Sequence, residues 1–189
     1  MSFTAPTILW AGLTPVAVIL GAAVLGVLLE ALVPRRARPV LQPALAVLAI
    51  LGAGAGVVVR WRAVEAGVGA SLTAGFDEDP FGVAAQGIML VIGLLAVLVM
   101  ADRTTADDGA FAAQAADRPG SAEEAESLHA GWTGTEVFPL TLFSLGGMML
   151  FPLSSNLIAL FVMLELVSLP RYSWPPWRAT AACSARRRP

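Results

Sequence analysis

The chain of 189 residues has 12 basic and 14 acidic residues, a formal net charge of -2, and 57% hydrophobic residues. Only 14% of its residues are charged, against about 25% in a typical soluble domain, which excludes an ordinary soluble protein. One cysteine, Cys183, and one histidine, His129, are too few to ligate a haem, an iron–sulfur cluster or a zinc ion. We therefore expect no metal site and no nucleic-acid partner, and a lipid bilayer as the surroundings.

Five apolar segments predict an all-α, polytopic membrane protein with about five transmembrane helices. Their approximate bounds are 8–33, 40–59, 83–100, 137–153 and 156–170. A spanning helix needs about 20 residues, so the first three qualify directly, the fourth is at the short limit, and the fifth is too short unless the chain after Pro170 continues it. The first segment lacks a preceding basic region, so we interpret it as a retained helix and not as a cleaved signal. Glycines inside the second and fourth segments favour close helix packing over a hinge.

Arginines in the loops predict the orientation. The stretch PRRARP after the first segment indicates a cytoplasmic loop and an external N-terminus, because cytoplasmic loops are enriched in basic residues. The next loop, 60–82, then lies outside, although it holds Arg60 and Arg62. The acidic loop 101–136, rich in Ala, Gly and Ser, is expected to be cytoplasmic and flexible. The sequence thus predicts a multi-pass protein of the cell membrane with a cytoplasmic C-terminus.

Two carboxylates, Glu30 and Glu165, lie within apolar segments. An ionised carboxylate near the bilayer centre costs at least about 2.5–3.5 kcal/mol, so it must be protonated, paired or next to a hydrated path. Glu30 is close to Arg35 and Arg36 at the end of its segment, which favours a structural role at the interface. Glu165 lies roughly 14 Å inside the fifth segment, near the bilayer midplane. A structural role in capping a neighbouring helix stays open for Glu165, but ion or proton movement is favoured.

The segment around Glu165 carries a recognisable pattern. A LELxSLP helix follows an FxxGGMM helix within TEVFPLTLFSLGGMMLFPLSSNLIALFVMLELVSLP. This pattern resembles the fourth and fifth helices of subunit N of the bacterial proton-translocating NADH-quinone oxidoreductase (respiratory complex I), in its actinobacterial form. LLEALVPRRARP and FDEDPFGVAAQGIMLVIGLLAVLVMADR extend the resemblance over residues 8–170. The motif around Glu165 is shared with the related subunits L and M, and the N-terminal half points to subunit N.

The resemblance implies that the chain is the N-terminal part of a fourteen-helix, antiporter-like subunit of an enzyme that couples NADH-to-quinone electron transfer to proton translocation. Glu165 maps onto the family's proton-channel glutamate, which pairs with a lysine on a later helix; this chain contains no lysine. The resemblance implies no cofactor in this chain, because NADH, FMN, iron–sulfur clusters and quinone bind elsewhere in the complex. The implied partners are the other membrane subunits of complex I and, indirectly, the quinone pool. The family often has Asn-Asp where this chain has Ser155-Asn156, so no charge role is transferred there.

Residues 171–189 depart from the family pattern, which continues the fifth helix with leucines and then a basic run. Reading GC-rich codons for this tail in a shifted frame gives such a continuation, so we interpret 171–189 as a frameshift product, real or from a sequencing error. An interfacial anchor built from Trp and Arg is the other interpretation.

Two other functions stay open: a five-helix membrane carrier or assembly protein, and a non-functional truncated product. A carrier needs a polar lining across several helices. The side chains that such a lining could use are few: Gln42, Gln86, Thr141, Ser144 and Glu165.

Overall fold

A computed structural model describes residues 9–67, 71–73, 75–101 and 135–173 of the chain. These residues form five α-helices, a short β-hairpin and a 3-10 turn, which confirms the predicted all-α membrane class. Most of the predicted loop 101–136 and most of the tail 171–189 lie outside the described residues, as do Cys183 and His129. The elements in chain order are α1 (Trp10–Leu32), α2 (Arg38–Glu65), β1 (Ser71–Thr73), β2 (Phe76–Asp77), α3 (Pro80–Ala101), α4 (Val137–Leu150), the 3-10 turn (Phe151–Leu153) and α5 (Leu157–Ser173).

Three of the described helices are long and apolar enough to cross a bilayer: α1, α2 and α3, with 23, 28 and 22 residues. A helix of 23 residues is roughly 35 Å long, somewhat more than the hydrocarbon thickness of about 30 Å. The two remaining helices are apolar but shorter. The 14 residues of α4 are extended by the 3-10 turn, and α5 has 17 residues.

Three of the differences between the element bounds and the sequence predictions concern the ends of the bundle and helix α5. Helix α2 continues to Glu65, six residues past the predicted end at 59, because Arg60 finds a partner in the structure and does not need to enter a loop. The predicted loop 60–82 contains the hairpin of β1 and β2, whose turn includes Gly75 at a φ of 103°, a conformation that glycine adopts without strain. Helix α5 passes through Pro170 and ends at Ser173.

Helix α4 lies at the centre of the described bundle and packs against α1, α3 and α5. More than half of its side chains are buried, in contrast to the partly exposed faces of α1, α2 and α3. The buried members are Phe138, Pro139, Leu142, Leu145, Gly146, Gly147, Met149 and Leu150. The sequence of α4 is apolar except for Thr141 and Ser144, as expected of a helix that other helices cover on several sides.

The helices alternate in direction, so the described bundle has two ends. The arginine end gathers the C-terminus of α1, the N-terminus of α2 and the start of α4, and it includes Arg35, Arg36 and Arg38. The hairpin end is closed by the β-hairpin. There the Leu9 N–H donates to the Leu72 carbonyl at 2.9 Å, and the Ser155 N–H donates to the Gly75 carbonyl at 2.8 Å.

Candidate functional site

Helix α5 places Glu165 about halfway along an apolar helix. The helix begins at Leu157, directly after Asn156, whose Oδ1 accepts a hydrogen bond of 2.7 Å from the Ala159 N–H. This is the usual N-cap contact of an asparagine, and it fixes where the helix starts. Glu165 comes about two turns later, roughly 12 Å along the helix axis. The carboxylate is therefore carried to mid-depth of an apolar helix, as the sequence predicts.

The side chain of Glu165 lies on the open face of α5. Ile158, Phe161 and Val162 are exposed, and Glu165 is exposed with them. Positions 158, 161, 162 and 165 have the spacing of one helix face. In a membrane this face is apolar except for a single carboxylate.

No described residue neutralises the Glu165 carboxylate. Within residues 9–67, 71–73, 75–101 and 135–168, no side chain donates a hydrogen bond to it and no arginine forms an ion pair with it. Beyond the backbone bonds of the helix itself, the described residues show one contact at Glu165: its backbone carbonyl accepts a hydrogen bond of 2.8 Å from Ser168 Oγ. Among the described residues, then, no contact supports the alternative role of Glu165 as a cap of a neighbouring helix. The role of Glu165 in proton movement stays a prediction.

The other polar side chains of the apolar segments hydrogen-bond to helix backbones. Gln42 Nε2 donates to the Gly26 carbonyl at 2.8 Å, and Gln86 Nε2 donates to the Met149 carbonyl at 3.2 Å. Thr141 Oγ1 donates within its own helix to Val137, and Ser144 Oγ donates across to Val167. Such bonds hold membrane helices together. Each of the four side chains thus bonds to a backbone carbonyl, and none of these bonds joins one of the four to another.

Glu30, the second intramembrane carboxylate of the sequence, is fully engaged at the arginine end. Its Oε1 accepts from Arg38 Nη1 at 2.9 Å, and its Oε2 accepts from Gln42 Nε2 at 3.0 Å. Thr135 Oγ1 lies 3.0 Å from both carboxylate oxygens, so its one hydroxyl proton is shared between them. The predicted structural role agrees with this geometry. The partner is Arg38, however, and not the expected Arg35 or Arg36.

Sequence reasoning missed Arg38 and Thr135 as partners of Glu30. Arg38 lies eight residues after Glu30 across a chain reversal, and its Nε also donates to the Val33 carbonyl at 2.8 Å. The sequence shows the cluster of arginines, but it does not show which of them pairs with Glu30. Thr135 is more than a hundred residues away from Glu30, and no local pattern connects the two.

An ion pair at the hairpin end was also missed. Arg60 Nε donates to Glu78 Oε1 at 2.9 Å, and Arg60 Nη2 contacts Glu78 Oε2. The acidic stretch FDEDP and the nearby arginines were visible in the sequence. Their pairing depends on the hairpin, which brings Glu78 back against the end of α2.

The fold and the position of Glu165 define a class of protein: a polytopic helical membrane protein with an acid on an apolar helix face, without an ion-pair partner in the part of the chain that the structure describes. No family model matches the chain. Over about 90% of its length the chain is similar to NADH-quinone oxidoreductase subunit N of several actinobacteria. It is 44% identical to the protein of Beutenbergia cavernae over 180 residues, 43% to that of Acidothermus cellulolyticus over 168, and 41% to a subunit N of Streptomyces griseus over 182.

These relatives extend well beyond the matched region. The alignments cover 91%, 89% and 90% of this chain but only 34%, 32% and 32% of the three relatives. The chain therefore spans about a third of the length of the curated relatives it matches. The similarity confirms the resemblance to the actinobacterial subunit N that the sequence motifs indicated.

Proposed function

We propose that this chain is the part of a membrane-arm subunit of NADH-quinone oxidoreductase that carries one half of a proton path, with Glu165 as the carboxylate that binds and releases the proton. The observation that carries the proposal is the position of Glu165, alone on the open apolar face of α5. A carboxylate at this depth is costly to insert, and a costly intramembrane acid marks a transport path more often than a structural contact. The similarity to subunit N supports the same assignment.

The chemistry needed from Glu165 is limited to proton transfer. An ionised carboxylate takes up one proton from a hydrated path and later gives it to the next acceptor, with no change in oxidation state. None of the arginines in the described residues lies within ion-pair distance of it. We propose that the missing counter-charge comes from a lysine of the later helices, as the resemblance implies, and that NADH, flavin, iron–sulfur clusters and quinone are bound by other subunits.

The proposal includes a location and an orientation. We propose that the arginine end faces the cytoplasm and the hairpin end faces outward, so that the described helices α1 to α5 cross the cell membrane in alternation. Arg35 and Arg36 are exposed at the arginine end, which supports a cytoplasmic position. The partners are then lipid, the other membrane subunits of the complex and, through them, the quinone pool.

The test needs a complete subunit in which this segment is continued by the later helices. Glu165→Ala and Glu165→Gln are introduced, and proton uptake by inverted membrane vesicles is measured per NADH oxidised. We expect both variants to lower proton uptake severalfold relative to NADH oxidation, because neither side chain can carry the proton. Glu165→Asp keeps the carboxylate and should retain part of the activity.

Val162→Ala is the matched control, since Val162 lies on the same open face of α5 and carries no charge. It should leave the ratio of protons to NADH unchanged. Full coupling in the Glu165→Gln complex, at normal assembly, would contradict the proposal and return Glu165 to a structural role.

A further inference from the structure

The turn of α5 that carries Glu165 is seated closely on α4 at Gly147. A Cβ atom at Gly147 would lie 3.1 Å from Val167 Cγ2, 3.2 Å from Leu166 Cβ and 3.2 Å from the Met163 carbonyl oxygen. These distances leave no comfortable room for a side chain, because two of the three neighbours are a backbone atom and a Cβ. Gly147 therefore permits the two helix backbones to approach at this level, as small residues do in membrane bundles.

Ser144 adds a hydrogen bond to the same contact between α4 and α5. It precedes Gly147 by three residues and so shares its face of α4. Its Oγ donates a hydrogen bond of 3.0 Å to the Val167 carbonyl of α5. A single hydrogen bond between two helices restrains rotation about the helix axis, whereas apolar packing alone resists rotation less.

The turn of α5 that contacts Gly147 lacks one backbone hydrogen bond. Pro170 lies within α5 and has no backbone N–H, so the carbonyl of Leu166 lacks the donor that a helix normally provides four residues later. A proline therefore loosens the helix just after Glu165. Contacts from α4 at Met163, Leu166 and Val167 hold this turn from outside.

The contact between α4 and α5 at Gly147 also determines the direction in which the Glu165 side chain points. Glu165 lies two residues from both Met163 and Val167, which places it roughly 160° around the helix from either of them. The residues that contact Gly147 thus face α4, and the carboxylate faces the opposite, open side. A rotation of α5 about its axis would carry Glu165 away from that side.

We propose that Ser144 and Gly147 are positioning residues that fix the rotation of α5 and thereby hold the Glu165 carboxylate on its open face. Ser144 supplies the directional hydrogen bond, and Gly147 supplies the close approach that makes it possible. The inference rests on the proposed function and deepens it, because it names the residues that orient the Glu165 carboxylate.

The experiment uses the chain itself, reconstituted in phosphatidylcholine vesicles. The apolar reagent dicyclohexylcarbodiimide reacts with protonated carboxyl groups in lipid, and mass spectrometry of peptides locates and quantifies the adduct at Glu165. The initial rate at a fixed pH reports how much of the time the carboxyl group faces the lipid. We expect Ser144→Ala to lower this rate, because the loss of one hydrogen bond weakens the preference of α5 for the observed rotation about fivefold.

Gly147→Ala should lower the rate as well, because its methyl group displaces α5. Ser144→Thr retains the hydroxyl group and should restore the parent rate, which a general loss of packing would not do. Two matched controls should match the parent chain. Thr141→Val removes a hydroxyl of the same helix that donates to Val137 and not to α5, and Gly54→Ala adds a methyl group where no atom lies within 4 Å.

Equal modification rates in the parent, Ser144→Ala and Thr141→Val chains would overturn the positioning role, as would a failure of Ser144→Thr to differ from Ser144→Ala. Absence of any adduct at Glu165 in the parent chain would also overturn it, because the carboxyl group would not face the lipid. These outcomes are independent of proton pumping. The proposed function fails separately, if the Glu165→Gln complex remains fully coupled.

Discussion

Arg60 and Glu78 are joined at the hairpin end of the bundle, where Arg60 Nε donates to Glu78 Oε1 at 2.9 Å and Arg60 Nη2 contacts the second carboxylate oxygen. The side chains are only 15% and 2% exposed. Two parallel contacts of this kind are the geometry in which arginine binds a carboxylate most strongly. In the proposed orientation Arg60 lies on the external side of the membrane, where arginines are less frequent, and Glu78 compensates its charge within the protein.

Breaking this pair should destabilise the hairpin end strongly. Arg60→Ala leaves the Glu78 carboxylate buried without its cation, and removal of one partner of a buried pair costs about 3–5 kcal/mol. We expect the free energy of unfolding, measured in mixed micelles by denaturant titration, to fall by that order. Arg62→Ala is the matched control, because Arg62 is exposed two residues later on the same helix and should change stability little. Equal losses in the two variants would contradict a specific role of the pair.

The Glu30 cluster should behave in the same way at the arginine end, with a second consequence. Glu30→Ala removes the common acceptor of Arg38, Gln42 and Thr135. We expect a loss of stability of about 3–5 kcal/mol. Thr135→Val removes one hydrogen bond to a charged group and should cost about 1.5–3 kcal/mol.

The loss of Thr135 should also have a local effect on α4 that the loss of Arg38 should not have. It stands two residues before α4 begins, so its loss should free the entry of that helix. Amide hydrogen exchange at residues 135–138 should rise more in Thr135→Val than in Arg38→Ala, when both are compared with the parent chain. Arg36→Ala, at an exposed arginine between α1 and α2, should leave exchange unchanged. Faster exchange in Arg36→Ala than in Thr135→Val would show that the cluster does not anchor α4.

How far the sequence predicts this structure depends on the range of the interactions. Apolar segments of about 20 residues determine the helices α1 to α3 by composition alone. The depth of Glu165 can be obtained by counting residues along its helix. The partners of Glu30 and of Arg60 cannot be obtained from any local pattern, because they come from elements that meet only when the chain reverses direction. Thr135 is the extreme case, since a contact over 105 residues leaves no periodicity to detect.

The hairpin of β1 and β2 shows a second limit. Only five residues lie in its strands, Ser71–Thr73 and Phe76–Asp77, too few for an alternating pattern to stand out. The hairpin is stabilised by contacts with α1 and with the segment after α4, and these contacts are tertiary. A two-stranded hairpin is marginal without such support. The same reasoning applies to Ser144, whose hydroxyl group could equally have bonded within its own helix, as that of Thr141 does.

The orientation can be checked with single cysteines. In a chain that carries Cys183→Ser, a cysteine is placed at Arg36 on the arginine end or at Asp77 on the hairpin end, both exposed positions. We expect a membrane-impermeant maleimide to label the Asp77→Cys chain in intact cells and the Arg36→Cys chain only in inverted vesicles, because arginines concentrate on the cytoplasmic side. The reverse pattern would invert the orientation and would place the proposed cytoplasmic loop outside.

Gln42 and Gln86 offer a comparison in which the same chemical change should have unequal effects. Both side chains are almost fully buried, at 1% and 2% exposure, and methionine replaces glutamine with nearly the same shape. Gln86→Met removes one neutral hydrogen bond, to the Met149 carbonyl, so we expect a cost of about 0.5–1.5 kcal/mol. Gln42→Met removes a neutral bond to Gly26 and a second bond to the Glu30 carboxylate.

Because a hydrogen bond to a charged group is worth about 1.5–3 kcal/mol, Gln42→Met should cost more than twice as much as Gln86→Met. Denaturant titration of the two variants in the same micelles measures the difference directly. The double variant Gln42→Met with Glu30→Gln tests the cause, since neutralising the carboxylate should reduce the additional cost of the first substitution. Additive losses in the double variant would mean that Gln42 stabilises the bundle through Gly26 alone, and that the charge of Glu30 is balanced by Arg38 and Thr135 without it.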